Sequence, residues 1–323
     1  MGGHVGAPHL QMTWWEVLIQ QTINGLTRGA VFALIALGYT MVYGIIELIN
    51  FAHGDVFMLG LFVSLAWFAL LGVTGALSGW QLVTVLPLVF LLTMLTTATL
   101  NVVIDRVAYR PLRRAPRLAP LITAIGVSFM LENVALLWMG PAPIAYPDVF
   151  PSVEILREWF GIDSAVFITT KDVLVVAVTI PLMLALHYFV TRTRWGKAMR
   201  ATAQDRETAQ AMGIDVERII LITFFVGGAL AGAAGLIQGM YYNIGMWWMG
   251  YQAGLRAFTA AVLGGIGSMG GAALGGLVIG FLSAWSDQYI SARWTNAIVF
   301  SILILVLVFR PHGLLGERTP DKA

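Results

Sequence analysis

VFMLGLFVSLAWFALLGVTGALSGWQLVTVLPLVFLLTMLTTATLNVVI, residues 56–104, runs for 49 positions without an Asp, Glu, Lys or Arg. One helical crossing of a bilayer takes about 20 apolar residues, so this run is longer than a single span. Two further runs, of 37 residues at 219–255 and 30 residues at 257–286, are equally free of charge. With 58% hydrophobic and 11% charged residues among 323, the chain has too little charge to clothe soluble domains. A membrane-embedded protein remains. The net charge of +2 gives no footprint for nucleic acid. The absence of cysteine removes disulfides and thiolate metal sites. The start, MGGHVGAPHLQMTWW, lacks the basic stretch and small-residue cleavage site of a signal peptide, so insertion is expected to rely on the spans themselves.

Apolar stretches fall at 23–44, 55–73, 82–104, 119–139, 173–190, 219–240, a divided stretch at 255–286, and 295–310. Backbone groups in lipid must bond within their own segment, which makes these helices. The alternating ten-residue segments of a β-barrel are missing. Arg106, Arg110, Arg113, Arg114 and Arg117 lie between the third and fourth stretches, and Arg192, Arg194, Lys197, Arg200, Arg206 and Arg218 between the fifth and sixth. Both loops are expected on the cytoplasmic side, joined by the tail with Arg310, Arg318 and Lys322. The Pro-rich, acidic stretch 140–172 suits an external loop. An external N-terminus and an internal C-terminus demand an odd number of crossings, but the stretches number eight. LGGIGSMGGAALGG, residues 263–276, holds seven Gly and is the place for a re-entrant hairpin. The expectation is one all-α transmembrane domain over 1–323, with seven to eight helices, a Gly-rich hairpin near 255–286, a cytoplasmic segment at 192–218 and an external loop at 140–172.

Gly265, Gly267 and Gly270 spell GxGxxG, with Asp287 at the distance of a ribose-binding acid. Apolar flanks deny the motif the βαβ unit it needs. Ser268 is no hydrolase elbow, since Ile266 breaks the G-x-S-x-G spacing. The glycines serve either close packing, as in the GxxxG pairs Gly271/Gly275 and Gly276/Gly280, or a hairpin lining a cavity. Gly25/Gly29, Gly228/Gly232 and Gly235/Gly239 carry the same spacing and mark helix contacts. Trp14, Trp15, Trp247 and Trp248 suit the membrane interface.

Arg28, Glu47, Asp55 and Glu132 are ionisable groups at membrane depth, each costing about 2.5–3.5 kcal/mol on insertion scales and so needing water or a partner. Glu47, Asn50, His53 and Asp55 fall in IIELINFAHGD, residues 45–55. Their favoured reading is as helix caps at the cytoplasmic face, with a proton shuttle or metal site as the alternative. Glu132 stands mid-span with Asn133 and Ser128, the last one turn before it on the same face. RTRWGKAMRATAQDRETAQAMGIDVERI, residues 192–219, predicts a short helix from about Thr202 to Met212, ended by Gly213, with Asp215 capping the next span. A short capped helix between two spans suits docking of a cytoplasmic partner.

GLTRGAVFALIALGYTMVYGIIELINFAHGD at 25–55, RATAQDRETAQAMGI at 200–214, AVLGGIGSMGGAALGG at 261–276 and FRPHGLLGE at 309–317 together resemble the LivH-type permease subunits of branched-chain amino acid ABC transporters. The resemblance implies residence in a bacterial or archaeal cytoplasmic membrane. It implies pairing with a second homologous permease, two cytoplasmic ATPase subunits that carry ATP and Mg²⁺, and an external substrate-binding protein. It places Asp205, Arg206, Glu207, Thr208, Ala209, Met212 and Gly213 against an ATPase. The translocation path falls near Asn50, Phe51, His53, Gly54, Asp55, Glu132 and Asn133, and near Gly264, Gly265, Gly267, Gly270 and Gly271. Urea, short amides and other amino acids stay open as substrates. From a different class, a proton-coupled transporter working through Glu132 without an ATPase also stays open.

Overall fold

A computed structural model describes residues 12–316 apart from 48, 114, 117 and 163. Arg114, Arg117, Glu317, Arg318 and Lys322, which entered the reading of the basic loop, the tail and the final motif, lie outside the described residues. The helices are α1 (Trp14–Ile46), α2 (His53–Leu70), α3 (Gly79–Ile104), α4 (Leu118–Met139), α5 (Ile155–Glu158), α6 (Thr170–Arg192), α7 (Arg194–Gln204), α8 (Arg206–Ala211), α9 (Val216–Tyr242), α10 (Met249–Gly264), α11 (Met269–Ser286) and α12 (Thr295–Phe309). A π-helical turn, Asp105–Tyr109, extends α3, and another, Asp287–Ser291, extends α11. The fold is all-α, and among the described residues seven helices are long and apolar enough to cross a membrane.

The first six of these match the expected stretches, and the seventh is α11 with its π-helical extension, Met269–Ser291. The divided stretch turns at its glycines as expected, but its second arm is itself the seventh candidate span. The helix lengths therefore do not give a hairpin that returns without crossing, and the stretch at 295–310 yields only the shorter α12. α10 has 16 residues and α12 has 15, both short of the ~20 that a perpendicular crossing takes. The turn between α10 and α11 lies beside Gly44 near the end of α1, with Gly267 Cα 3.6 Å from where a Gly44 Cβ would stand. The tail closes over this turn, as Leu314 and Leu315 donate their amides to the carbonyls of Leu263 and Gly264 at 2.9 and 2.8 Å.

Helix starts follow local chemistry. Thr13 and Glu16 form a capping box on α1, Ser78 and Gln81 on α3, and Thr169 and Asp172 on α6. Burial then divides the bundle into two layers. The most apolar stretches of α1 and α9 are 78% and 72% buried, against 17% for α6. α1, α2, α9, α10 and α11 therefore form the centre, while α3, α4 and α6 turn apolar faces outward as a lipid-facing layer does.

The centre is tight because small residues face each other. Gly25 and Gly29 of α1 meet Phe281 and Leu277 of α11, and Gly276 backs onto Ala33. In α9, Gly228 and Gly232 seat Asn101 and Thr97 of α3, while Gly235 lies on the α2 backbone at Phe57 and Leu61. The small-residue pairs of the sequence are thus helix contacts, except that Gly239 of the Gly235/Gly239 pair meets the loop residue Tyr146. Asn101 Nδ2 also donates to the Phe224 carbonyl at 2.7 Å.

The loop between α4 and α6 is folded onto the helix ends. Ile144–Ala145 pairs antiparallel with Ile244–Gly245, and Lys171 Nζ reaches Asp148 at 2.7 Å and Asn243 Oδ1 at 2.6 Å. Tyr146 inserts its ring beside Gly239 and shares a 2.8 Å hydrogen bond with Ser64. Burial pushes its phenol above the ordinary tyrosine range, and the Ser64 bond opposes this.

The opposite end collects the basic loops. Arg113 bridges Asp105 and Glu217, and Arg110 joins Glu217 at 3.1 Å, tying the end of α3 to the start of α9. The segment expected to be one helix over Thr202–Met212 is two. Asp205 adopts an extended backbone and accepts from the amides of Glu207 and Thr208, so it ends α7 and caps α8. A short polar side chain that can satisfy orphan helix amides makes a better boundary than a helix interior. Gly213 takes the expected positive φ, and Asp215 caps α9 through Arg218 N.

Candidate functional site

Asn50, His53 and Asp55 of IIELINFAHGD are inside the protein, which corrects their reading as caps, whereas Glu47 is exposed at the end of α1. Glu47 turns left-handed at the end of α1, and the chain folds back so that α2 starts at His53, alongside Gly38 in the body of α1. The residue before α2 is Ala52, and no side chain caps it. Asn50, His53 and Asp55 are buried to 1% exposure or less. Asn50 Oδ1 accepts from Tyr109 Oη at 2.6 Å. Asp55 accepts from Ser128 Oγ at 2.5 Å. The His53 ring lies edge-on to Tyr39 at 4.8 Å and leaves no room for a Cβ at Gly38. The turn of six residues carries these groups inward, a change of direction that local propensity does not encode.

Around them, Phe51 packs against Phe258 of α10 at 6.2 Å, and Gly54 touches the backbone at Gly250 and Gly254, so α2 and α10 cross on glycine. Glu132 is buried one turn from Ser128, whereas Asn133 is exposed and donates to its own helix at Phe129 O. The structure therefore brings Asn50, His53, Asp55, Ser128 and Glu132 into one region and leaves Asn133 out of it. Among the described residues no three His, Asp or Glu side chains come together as a metal site.

The hairpin glycines divide by role. Gly264 and Gly271 pack backbone to backbone, leaving no space for a Cβ, and Gly265 and Gly267 take positive φ values of 110° and 93° in the turn. Gly270 faces open space. The GxGxxG spacing is thus a turn between two helices, without the strand a dinucleotide site requires.

A cavity of about 320 Å³ is the element that the sequence reading did not assemble. Three helices contribute one face each: Arg28, Val31 and Phe32 from α1, Gln238 and Tyr242 from α9, and Met249, Gln252, Ala253 and Arg256 from α10. Phe57 of α2 and Asp287 complete the wall. Arg28 Nη1 pairs with Asp287 Oδ2 at 2.5 Å. The signal for Arg256 was present: it is the one charge separating the runs 219–255 and 257–286.

The profile of the family described as branched-chain amino acid transport system, permease component, matches residues 21–308. The chain is 42% identical over 304 residues to the high-affinity branched-chain amino acid transport system permease protein LivH of Escherichia coli (strain K12), covering 94% of this chain and 97% of that one. It is 42% identical over 305 residues to BraD of Pseudomonas aeruginosa, a permease protein of the same description, with the same coverage. A probable branched-chain amino acid transport permease of Methanocaldococcus jannaschii is 29% identical over 88% of both chains. No solved structure matches the chain.

The chain belongs to the branched-chain amino acid permease family. In this permease the segment that resembles a coupling region presents α8 at the end of the bundle that carries the basic loops. Glu207 and Met212 are exposed, Met212 to 79%, while Ala209 is buried and holds α8 against the bundle. Thr208 Oγ1 donates to Asp205 Oδ2 at 2.8 Å, stiffening the start of α8.

Proposed function

We propose that the permease is the membrane subunit of an ABC importer for branched-chain amino acids. It works with a second homologous permease, two cytoplasmic ATPases that hold ATP and Mg²⁺, and an external binding protein that delivers substrate. The observation that carries this reading is the 42% identity with LivH of Escherichia coli across 94% of this chain and 97% of that one. Asp205, Arg206, Glu207, Thr208, Ala209, Met212 and Gly213 form the contact with an ATPase. Closure of the ATPases moves α7 and α8, and the movement passes to α1 and α9, both of which line the cavity. The cytoplasmic membrane is the expected location. Substrate crosses by alternating access, with Asn50, Phe51, His53, Gly54, Asp55 and Glu132 forming the inner part of the path and the hairpin glycines its boundary.

Purification of the tagged chain from its native membrane, with mass spectrometry of what accompanies it, tests this assembly. Two nucleotide-binding subunits and a second permease are expected. Recovery of the chain alone, under conditions that preserve other membrane complexes, counts against the proposal.

A further inference from the structure

The cavity between α1, α9 and α10 holds two guanidinium groups and one carboxylate, which is an unusual inventory for a membrane interior. Charge at such depth is retained where it meets water, a partner or a ligand. Arg28 and Asp287 account for each other at 2.5 Å. Arg256 does not have that arrangement: its Nε and Nη2 both point to the neutral Asn296 Oδ1, at 3.2 and 3.0 Å, and it forms no ion pair among the described residues. Nη1 has no hydrogen-bond acceptor among them. The cavity therefore carries one uncompensated positive charge beside an internal ion pair.

The rest of the wall is mixed. Val31, Phe32, Phe57, Met249 and Ala253 are apolar, and Gln238 and Gln252 add uncharged donors and acceptors. A volume near 320 Å³ falls at the lower end of the range for small-molecule sites, about 300–1,000 Å³. A guanidinium is suited to a carboxylate because its planar donors match the two oxygens. Asp287, whose Oδ2 pairs with Arg28 and whose Oδ1 accepts from the Thr295 hydroxyl, keeps further lone pairs on its carboxylate for an ammonium group. We infer that this cavity is a substrate subsite that binds the zwitterionic head of an apolar α-amino acid, with Arg256 on the carboxylate, Asp287 on the ammonium and the apolar wall around the side chain. Selection at this step reads the common head group and an apolar body, so leucine, isoleucine and valine are all accepted. Urea and short amides, which lack the carboxylate, are poorly held.

This inference rests on the importer reading, and the test separates the two. The complete transporter is reconstituted in proteoliposomes with its ATPases, second permease and binding protein, and leucine uptake and ATP hydrolysis are followed together. Arg256→Gln is expected to cut leucine uptake about tenfold, as for loss of a charge-assisted hydrogen bond, with Arg256→Lys in between. ATP hydrolysis stimulated by the loaded binding protein is expected to persist in both variants, a pattern that a folding defect does not produce. A second measurement uses the absence of cysteine from this chain. In the Gln252→Cys variant of the same complex, modification of this subunit by a thiol reagent is read by intact mass. Leucine is expected to slow modification and 3-methylbutylamine, which lacks the carboxylate, is not. Adding Arg256→Gln is expected to remove the protection. Wild-type uptake of leucine together with unchanged uptake in Arg256→Gln overturns the subsite alone, as does equal protection by leucine and the amine. Absence of amino-acid uptake by the wild-type complex overturns the importer reading and the subsite with it.

Discussion

Arg206 donates Nε and Nη2 to the carbonyl oxygen of Ile45, at 3.1 and 2.6 Å, and so fastens α8 to the last turn of α1. A helix leaves its last carbonyls without intrahelical partners, and a guanidinium there satisfies one while complementing the negative end of the helix dipole. The same α1 carries Arg28, Val31 and Phe32 into the cavity, more than two turns further along. Under the proposed coupling, a displacement of α8 acts on the same helix that lines the cavity. Arg206→Ala is expected to lower uptake about fivefold or more, in keeping with typical coupling energies between sites, while the ATPases stay bound. Uptake and subunit recovery measured on the same preparation check this, and wild-type uptake speaks against α1 as the transmitting element.

Gly54 has no space for a methyl group against Gly250 and Gly254. Gly54→Ala is expected to destabilise the purified protein by about 1–3 kcal/mol, the usual cost of forcing atoms into a packed contact. Gly270→Ala, whose added carbon meets nothing within 4 Å, is the matched control and is expected to leave the melting temperature unchanged. The two melting curves in one detergent decide the matter.

Ser128 Oγ is the hydrogen-bond donor to Asp55, whose other carboxylate oxygen has no partner among the described residues. Ser128→Ala is expected to cost about 1–3 kcal/mol through the unsatisfied buried acceptor. Asp55→Asn in the Ser128→Ala background is expected to recover part of it, because a neutral amide is cheaper to bury than a carboxylate. A double-mutant cycle by thermal unfolding measures the coupling.

Glu132 sits beside this pair without being the motor of transport if ATP hydrolysis supplies the energy. Glu132→Gln is expected to keep uptake within about twofold of wild type from roughly pH 6 to pH 8, whereas a proton relay through an intramembrane carboxylate would be abolished by the change. Uptake across that range in proteoliposomes distinguishes the two.

Asp205 holds the boundary between α7 and α8 by accepting from two backbone amides and the Thr208 hydroxyl. Asp205→Ala is expected to remove about 0.5–2 kcal/mol of local helix stability, the range for a lost N-cap. Hydrogen exchange at Glu207 and Thr208 should quicken, with α9 amides unchanged.

The membrane class, the positions of the first six spans, the glycine turn and the small-residue contacts were legible in the amino-acid order. Each depends on interactions within a segment or on a spacing repeated along one helix face, such as Gly25/Gly29 or Gly228/Gly232. The break at Asp205 was misplaced because an N-cap and an interior aspartate look alike in a polar stretch. The cap reading of Asn50, His53 and Asp55 failed for a different reason. Their surroundings are supplied by Gly38, Tyr109 and Ser128, which are 15 to 73 residues away in the chain. The cavity is the extreme case. Arg28, Gln238, Arg256 and Asp287 stand near each other only because α1, α9 and α10 pack on glycine and the π-helical turn after α11 brings Asp287 onto α1. Composition and periodicity by themselves determined that this chain enters a membrane as helices, since burial of backbone and apolar surface is a local demand. Which charges meet inside was decided by tertiary packing, since a partner for a buried charge is found in space and carries no mark in the neighbouring sequence.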